Sequence, residues 1–188
     1  MIAPCFTQTI WPPNESERDC IVLAACVCCG LSGFIRRHGF LKDQSKDIIR
    51  GWRFFCSNRN SNKGCGRSFS ILFCEFIANC SVTSFELYSF VNKLAEHQSV
   101  TDAWREADRN GFPLSLASAH RWFHRFKLHI HQFRSKLFQQ THPPPSEKVI
   151  ASPNQDIAIT IEMFDEANRN VTNDPFAAFQ LQHQTPLF

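Results

Sequence analysis

Nine cysteines are the feature that most constrains what this 188-residue chain can fold into. Cys26 and Cys29 form a C-x-x-C pair in CVCCG, and Cys56 and Cys65 form a wider pair in FFCSNRNSNKGCGRSF. Two pairs of thiols separated by a hairpin-length segment suit the tetrahedral coordination of a structural zinc ion. The C-x-x-C spacing presents two thiolates to one ion. The glycines that follow Cys29 and Cys65 suit tight turns aiming backbone amides at the sulfurs. The second pair brackets SNRNSNKG, so it reads as a long knuckle with a polar loop bulging out of it. Thiolates in all four positions leave no open site to activate water, which makes the expected role of the single zinc ion structural. A segment of about 50 residues also needs such a cross-link, because it cannot bury enough apolar surface alone.

Two alternatives stay open from the sequence. A register using Cys26 and Cys28 makes a tighter bite, and His38 competes as a fifth ligand. Cys5, Cys20, Cys74 and Cys80 have no paired spacing and read as ordinary thiols. An odd count cannot pair completely. The N-terminus MIAPCFTQTIWPPNESERD has no basic start followed by an apolar core, so it does not read as a signal peptide. Reduced, metal-binding cysteines are therefore expected over a disulfide framework. The longest apolar run, starting at Ile21, is about half of the roughly 20 residues a membrane span needs.

The predicted fold class is α+β: a small antiparallel zinc ribbon, a three-helix helix-turn-helix domain and a mostly irregular tail. Residues 1–20 form a polar, proline-interrupted extension. Residues 21–78 hold the cysteines and the β-prone runs IVLAA, GFIRRHGF, IIRGWRFF and RSFSILF, separated by turn formers. Residues 82–142 change to helical period. Residues 143–188 open on PPPSEK, which stops a helix, and form an acidic tail with one short amphipathic segment, DIAITIEMFDEA.

The first predicted helix, TSFELYSFVNKLAEH, has Thr83 and Glu86 at capping-box spacing, with Phe85, Tyr88, Val91, Leu94 and Ala95 on its apolar face. The second opens at Ser99, turns Ala103, Trp104 and Ala107 inward, and closes at Asn110-Gly111. The third starts near Ser115 and carries Leu116, Ala119, Phe123, Phe126, Ile130, Phe133 and Leu137 as a core stripe. Its other side holds Ser118, His120, Arg121, His124, Arg125 and Lys127. A short helix, a Gly-containing turn and a basic helix form a helix-turn-helix signature, in which the early residues of the second helix touch base edges in the major groove. Histidines 120, 124, 129 and 131 read as polar-face residues in preference to a second metal site.

Net charge divides the chain. Residues 1–142 balance at +7 and residues 143–188 at −4, a basic body with an acidic tail. Arg36, Arg37 and Arg53, with Arg59, Lys63 and Arg67, are candidate phosphate contacts.

The order of parts resembles the N-terminal portion of bacterial insertion-sequence transposases and their short relatives. CVCCG with RRHG, RFFCSNRNSNKGCGRSFS, and SVTDAWREA with SLASAHRWFHRF carry the likeness, over about residues 24–140. The resemblance implies a zinc ribbon followed by a helix-turn-helix that together recognise DNA. It makes Cys26, Cys29, Cys56 and Cys65 the zinc ligands and Ser118, Arg121 and Arg125 DNA contacts. Such transposases continue into a ribonuclease-H-like domain, for which the 46 residues after position 142 leave no room. The expectation is thus a stand-alone DNA-binding protein, a regulator or a transposase accessory, in the bacterial cytoplasm and associated with the nucleoid. Its expected partners are duplex DNA and a transposase or other subunit, with no membrane and no small-molecule substrate. No phosphate loop, nucleophile elbow or paired-carboxylate constellation points to an enzyme. The alternative is a protein-interaction adaptor docking through Trp52, Phe54 and Phe69.

Overall fold

Four strands account for the cysteine-bearing region. The computed structural model describes residues 8–11, 23–42, 48–60, 62–77, 82–97, 99–138, 154–170, 174–183 and 187. Strands β1 (Gln8–Trp11), β2 (Ile35–Lys42), β3 (Ile49–Cys56) and β4 (Ser68–Phe73) form one sheet in the order β1-β4-β3-β2. β2–β3 and β3–β4 pair antiparallel, as expected, while β1 lies parallel to β4. Three of the four β-prone runs supply β2 to β4. The fourth does not: residues 23–25 form no strand. β1 comes instead from the proline-interrupted extension, where Thr9, Ile10 and Trp11 favour extended backbone and Pro12 cannot continue the ladder.

Alternation along β3 decides its faces, because side chains two apart point the same way. Trp52, Phe54 and Cys56 are buried, and Arg53 between them is exposed. Phe54 faces Phe69 of β4 with ring centroids 5.7 Å apart, and Trp52 is in register with Ile71. Arg53 shares the opposite face with Ser70, its partner on β4.

The chain divides into two compact units, residues 1–76 with 180–186, and residues 77–179 with 187–188. The second is helical: α1 (Ser84–Glu96), α2 (Val100–Arg109), α3 (Leu116–Phe138), α4 (Gln155–Ala167) and α5 (Pro175–His183), whose last residues belong to the first unit. Local chemistry sets the starts. Thr83 and Glu86 exchange a reciprocal capping box, Glu86 N–H donating to Thr83 Oγ1 at 3.1 Å and Thr83 N–H to the Glu86 carboxylate at 2.7 Å. Ser99 Oγ accepts from Asp102 N–H at 3.1 Å. Asp174 caps α5, its Oδ1 accepting from the amides of Phe176 and Ala177, with Pro175 in the first helical position. The buried Ser84 donates to the other Asp174 oxygen at 2.7 Å, and burial holds that carboxyl above the usual carboxylate range.

The core of this unit is aromatic. Leu87, Phe90, Val91 and Leu94 of α1 meet Ala119, Trp122, Phe126, Ile130, Phe133 and Leu137 of α3 and Ile157, Ile161, Met163 and Phe164 of α4. Two expectations need correction. Phe85 was expected to face inward but is 65% exposed. At 100° per residue it lies about 200° from Leu87, and the core takes the stripe through Leu87 and Phe90. The tail, expected to be mostly irregular, contains α4 and α5. α4 covers the amphipathic segment that the sequence singled out, and α5 lies where a loop was expected. The PPPSEK stretch lies outside the described residues.

The tail's acidity misled, because one of its carboxylates is matched within the unit. Arg134 of α3 donates to the Asp156 carboxylate at 3.0 Å, to the Asp156 carbonyl at 2.6 Å and to Thr160 Oγ1 at 2.9 Å. Phe164 then packs against Phe133, Phe176 and Phe179 at centroid distances of 5.8, 4.9 and 5.1 Å. Phe164→Ala should therefore cost about 3–5 kcal/mol, as large-to-small changes in a closed aromatic core do. Phe85→Ala should stay within about 0.5 kcal/mol. Urea unfolding followed by circular dichroism reads both, and equal costs would refute this assignment of the α1 face.

Candidate functional site

Cys26 and Cys29 sit in the loop before β2, Cys56 ends β3, and Cys65 lies in the loop before β4. The sheet's pairing brings these loops together. Cys56 N–H donates to the Arg67 carbonyl at 2.9 Å and Ser57 N–H to the Phe34 carbonyl at 2.7 Å, fastening the end of β3 to both neighbours. The first loop closes on itself, with Gly30 N–H to Cys26 O at 2.7 Å and Cys26 N–H to Leu31 O at 3.0 Å. Gly30 and Gly66, each just after a cysteine, have φ of +73° and +69°, a left-handed turn that a side chain would strain.

The four sulfurs all lie within 4.8 Å of one another. Cys26 and Cys65 are 3.9 Å apart and Cys29 and Cys56 3.8 Å apart, sulfur to sulfur. A disulfide is about 2.05 Å, so these are not bonded pairs, and no described cysteine is in a disulfide. Four thiolates held tetrahedrally at about 2.3 Å from a metal stand about 3.8 Å from one another, which is the spacing seen. Backbone amides also point at the sulfurs: Cys28 N–H at Cys26 Sγ and Cys65 N–H at Cys56 Sγ, both at 3.4 Å. The cluster has the donor set, the spacing and the amide shell of a closed metal site.

Its electrostatics point the same way. Burial pushes the Cys26 thiol up, but amides of Cys28 and Cys29 and bonds from neighbouring thiols more than offset this, leaving its pKa at about 7. Burial pushes Cys56 up to about 12, and Cys65 is likewise raised by burial. One sulfur ionises readily while others hold their protons, so a cation entering the cluster at neutral pH must displace protons.

These four are the residues that the spacing predicts. Cys28 is half-buried and outside the group, and His38 is exposed with its ring 6.3 Å from that of Phe55. Spacing did not single out Ser57, which organises the long knuckle. Its hydroxyl accepts from Arg59 N–H at 3.4 Å and from the Asn62 side-chain amide at 3.2 Å, and its carbonyl accepts from Gly64 N–H at 3.0 Å. The signal was available: a serine followed two residues later by a turn amide is a common hydroxyl-capped turn.

The predicted DNA contacts fall in both units. Arg36 and Arg37 of β2 and Arg53 of β3 are exposed, with the Arg37 guanidinium 4.2 Å from the centre of the Trp52 ring. On α3, His120, Arg121, His124 and Arg125 are exposed and Ser118 is half-buried, its hydroxyl accepting from Arg121 at 3.0 Å. Arg125 lies over the Trp122 ring at 5.8 Å. Trp52, Phe54 and Phe69, named as docking anchors for an adaptor, are buried within the sheet unit. Glu96, His97 and Glu106 also converge. Lys93 already neutralises that group, with its Nζ 3.1 Å from Glu96 and 2.7 Å from Glu106.

No protein-family model, curated protein or solved structure matches the chain. No helix among the described residues is long and apolar enough to cross a membrane.

Native mass spectrometry should find one divalent ion per chain. Cys29→Ser and Cys65→Ser should lose it, while Cys28→Ser and His38→Ala should keep it. An ion retained by Cys65→Ser, or lost with Cys28, would redraw the ligand set.

Proposed function

We propose that the chain is a duplex-DNA-binding protein of transposase-related or regulatory type. A structural zinc ion in the four-cysteine cluster braces the sheet unit, and α2, its turn and α3 act as a helix-turn-helix. Zinc fits because thiolates are soft ligands, the site is tetrahedral, and no position is left for water or substrate. The metal's task is then to hold the loops around β2, β3 and β4, and the chain's task is recognition.

One observation carries the DNA reading: α3 holds five Arg or Lys and four His in 23 residues, and not one carboxylate. An ordinary amphipathic helix mixes both signs on its wet face. Here His120, Arg121, His124 and Arg125 line the exposed early half, where a recognition helix meets base edges. Arginine in that position can bond O6 and N7 of guanine together. The turn before α3 is fixed, with Trp104 Nε1 donating to the Leu114 carbonyl at 2.8 Å and Phe112 stacked on Phe90 at 4.8 Å. Residues 110–115 make this connection longer than the three or four residues usual in such units.

Binding to labelled duplexes should weaken steeply between low and moderate salt, since each neutralised phosphate releases counterions. Arg121→Ala with Arg125→Ala should cost at least about tenfold in affinity for a preferred duplex and relax the preference among sequences. Fluorescence anisotropy across a salt series and several duplexes measures both. Salt-insensitive binding, or none to several unrelated duplexes at low salt, sinks the reading.

A further inference from the structure

The metal-bearing sheet has a one-sided charge. Residues 23–42 and 48–74 contain eight Arg or Lys and no Asp or Glu; Asp43, Lys46 and Asp47 fall between these two stretches of sequence. Such a surface fits a polyanion. What a polyanion alone does not explain is Phe40. It lies on β2, the edge strand, and is 46% exposed, in a strand whose Arg36, Arg37, His38 and Lys42 are also exposed.

A β-bulge sets this arrangement up. Register shifts between Arg37 and Gly39, so Arg37 is opposite Phe54 and Phe40 is opposite Trp52. Phe54 and Trp52 are two apart on β3 and share a face, so Arg37 and Phe40 share that face too. In an unbulged strand, residues three apart point to opposite sides. Both side chains rest on the same indole: Phe40 at 4.5 Å between centroids with a 40° tilt, Arg37 with its guanidinium 4.2 Å above the ring. Trp52 is only 3% exposed. It is therefore a fixed backing, and the outer face of Phe40 is presented with a cation beside it.

We propose that Phe40, backed by Trp52 and flanked by Arg37, is a stacking site for an unpaired base of a single-stranded polynucleotide. In a duplex each base face is covered by its neighbours and only edges show in the grooves. A single strand offers both what the cations attract and the flat apolar surface that the ring fits. The site belongs to the sheet unit and stands independently of the duplex reading of α3.

The test uses the zinc-loaded full chain and fluorescence anisotropy with four labelled probes: dT12, U12, a 12-mer abasic backbone and a mixed-sequence duplex. The wild type should bind dT12 or U12 roughly tenfold or more tighter than the abasic strand, and a preference between the two likewise supports the site. Phe40→Ala should lose that advantage while leaving abasic and duplex affinity unchanged, and Phe40→Tyr should restore it. Equal wild-type affinity for dT12, U12 and the abasic strand overturns the proposal without any variant. So does a Phe40→Ala protein that keeps its zinc and the full preference for bases. Loss of duplex binding in the Arg121→Ala, Arg125→Ala protein with the dT12 preference intact separates this site from α3.

Discussion

Four sulfur atoms from three separate places in the chain cannot share a space 4.8 Å across as thiolates unless a cation lies among them. The loops of the sheet unit meet at that constraint. Two of the sulfurs come from the loop before β2, one from the end of β3 and one from the loop before β4, so their mutual repulsion would otherwise push apart the segments that the strands join. Burial raises the Cys56 and Cys65 thiols in pKa, while backbone amides help bring Cys26 down to about 7. The buried apolar side chains of β3 and β4 are chiefly Trp52, Phe54, Phe69, Ile71, Leu72 and Phe73, and in a unit of this size a metal ion held by the four cysteines would add stability.

The helical unit rests on different physics. Its core is an interlocked set of phenylalanines from α1, α3, α4 and α5, with edge-on and tilted contacts that satisfy the ring quadrupoles. Arg134 shows how the same helix serves two environments. On the side toward α4 its cation is absorbed by Asp156 and Thr160. On the early, wet side no carboxylate of α3 itself answers Arg121 and Arg125, and their field is directed outward.

Features set by short-range chemistry were legible in the sequence. The Cys26, Cys29, Cys56 and Cys65 spacing, the Thr83–Glu86 box and the Ser99 cap each involve atoms a few residues apart or a ligand set with known geometry. What escaped depended on partners far away in the chain. Phe85 and Leu87 are both apolar on α1, and only the position of α3 and α4 decides which is buried. The tail looked solvated by its charge count because Asp156 meets its cation 22 residues earlier in the chain. The α5 start at Asp174-Pro175 was readable as a cap followed by a first-turn proline, but the polar residues around it drowned the signal. β1 was hidden by its flanking prolines, and the bulge in β2 leaves no mark on the hydrophobic pattern.

Gln180 gives the sheet unit an unusual timetable. Its buried side-chain amide donates to the carbonyls of Cys74 at 2.8 Å and Phe76 at 3.2 Å, just past the end of β4. Those two carbonyls are made about a hundred residues before their donor. Domains generally fold in order as they leave the ribosome, yet here the sheet unit takes in a segment made about a hundred residues after β4. A nascent chain can pair β2 with β3 early, but the Cys74 and Phe76 carbonyls meet the Gln180 amide only once residue 180 has emerged.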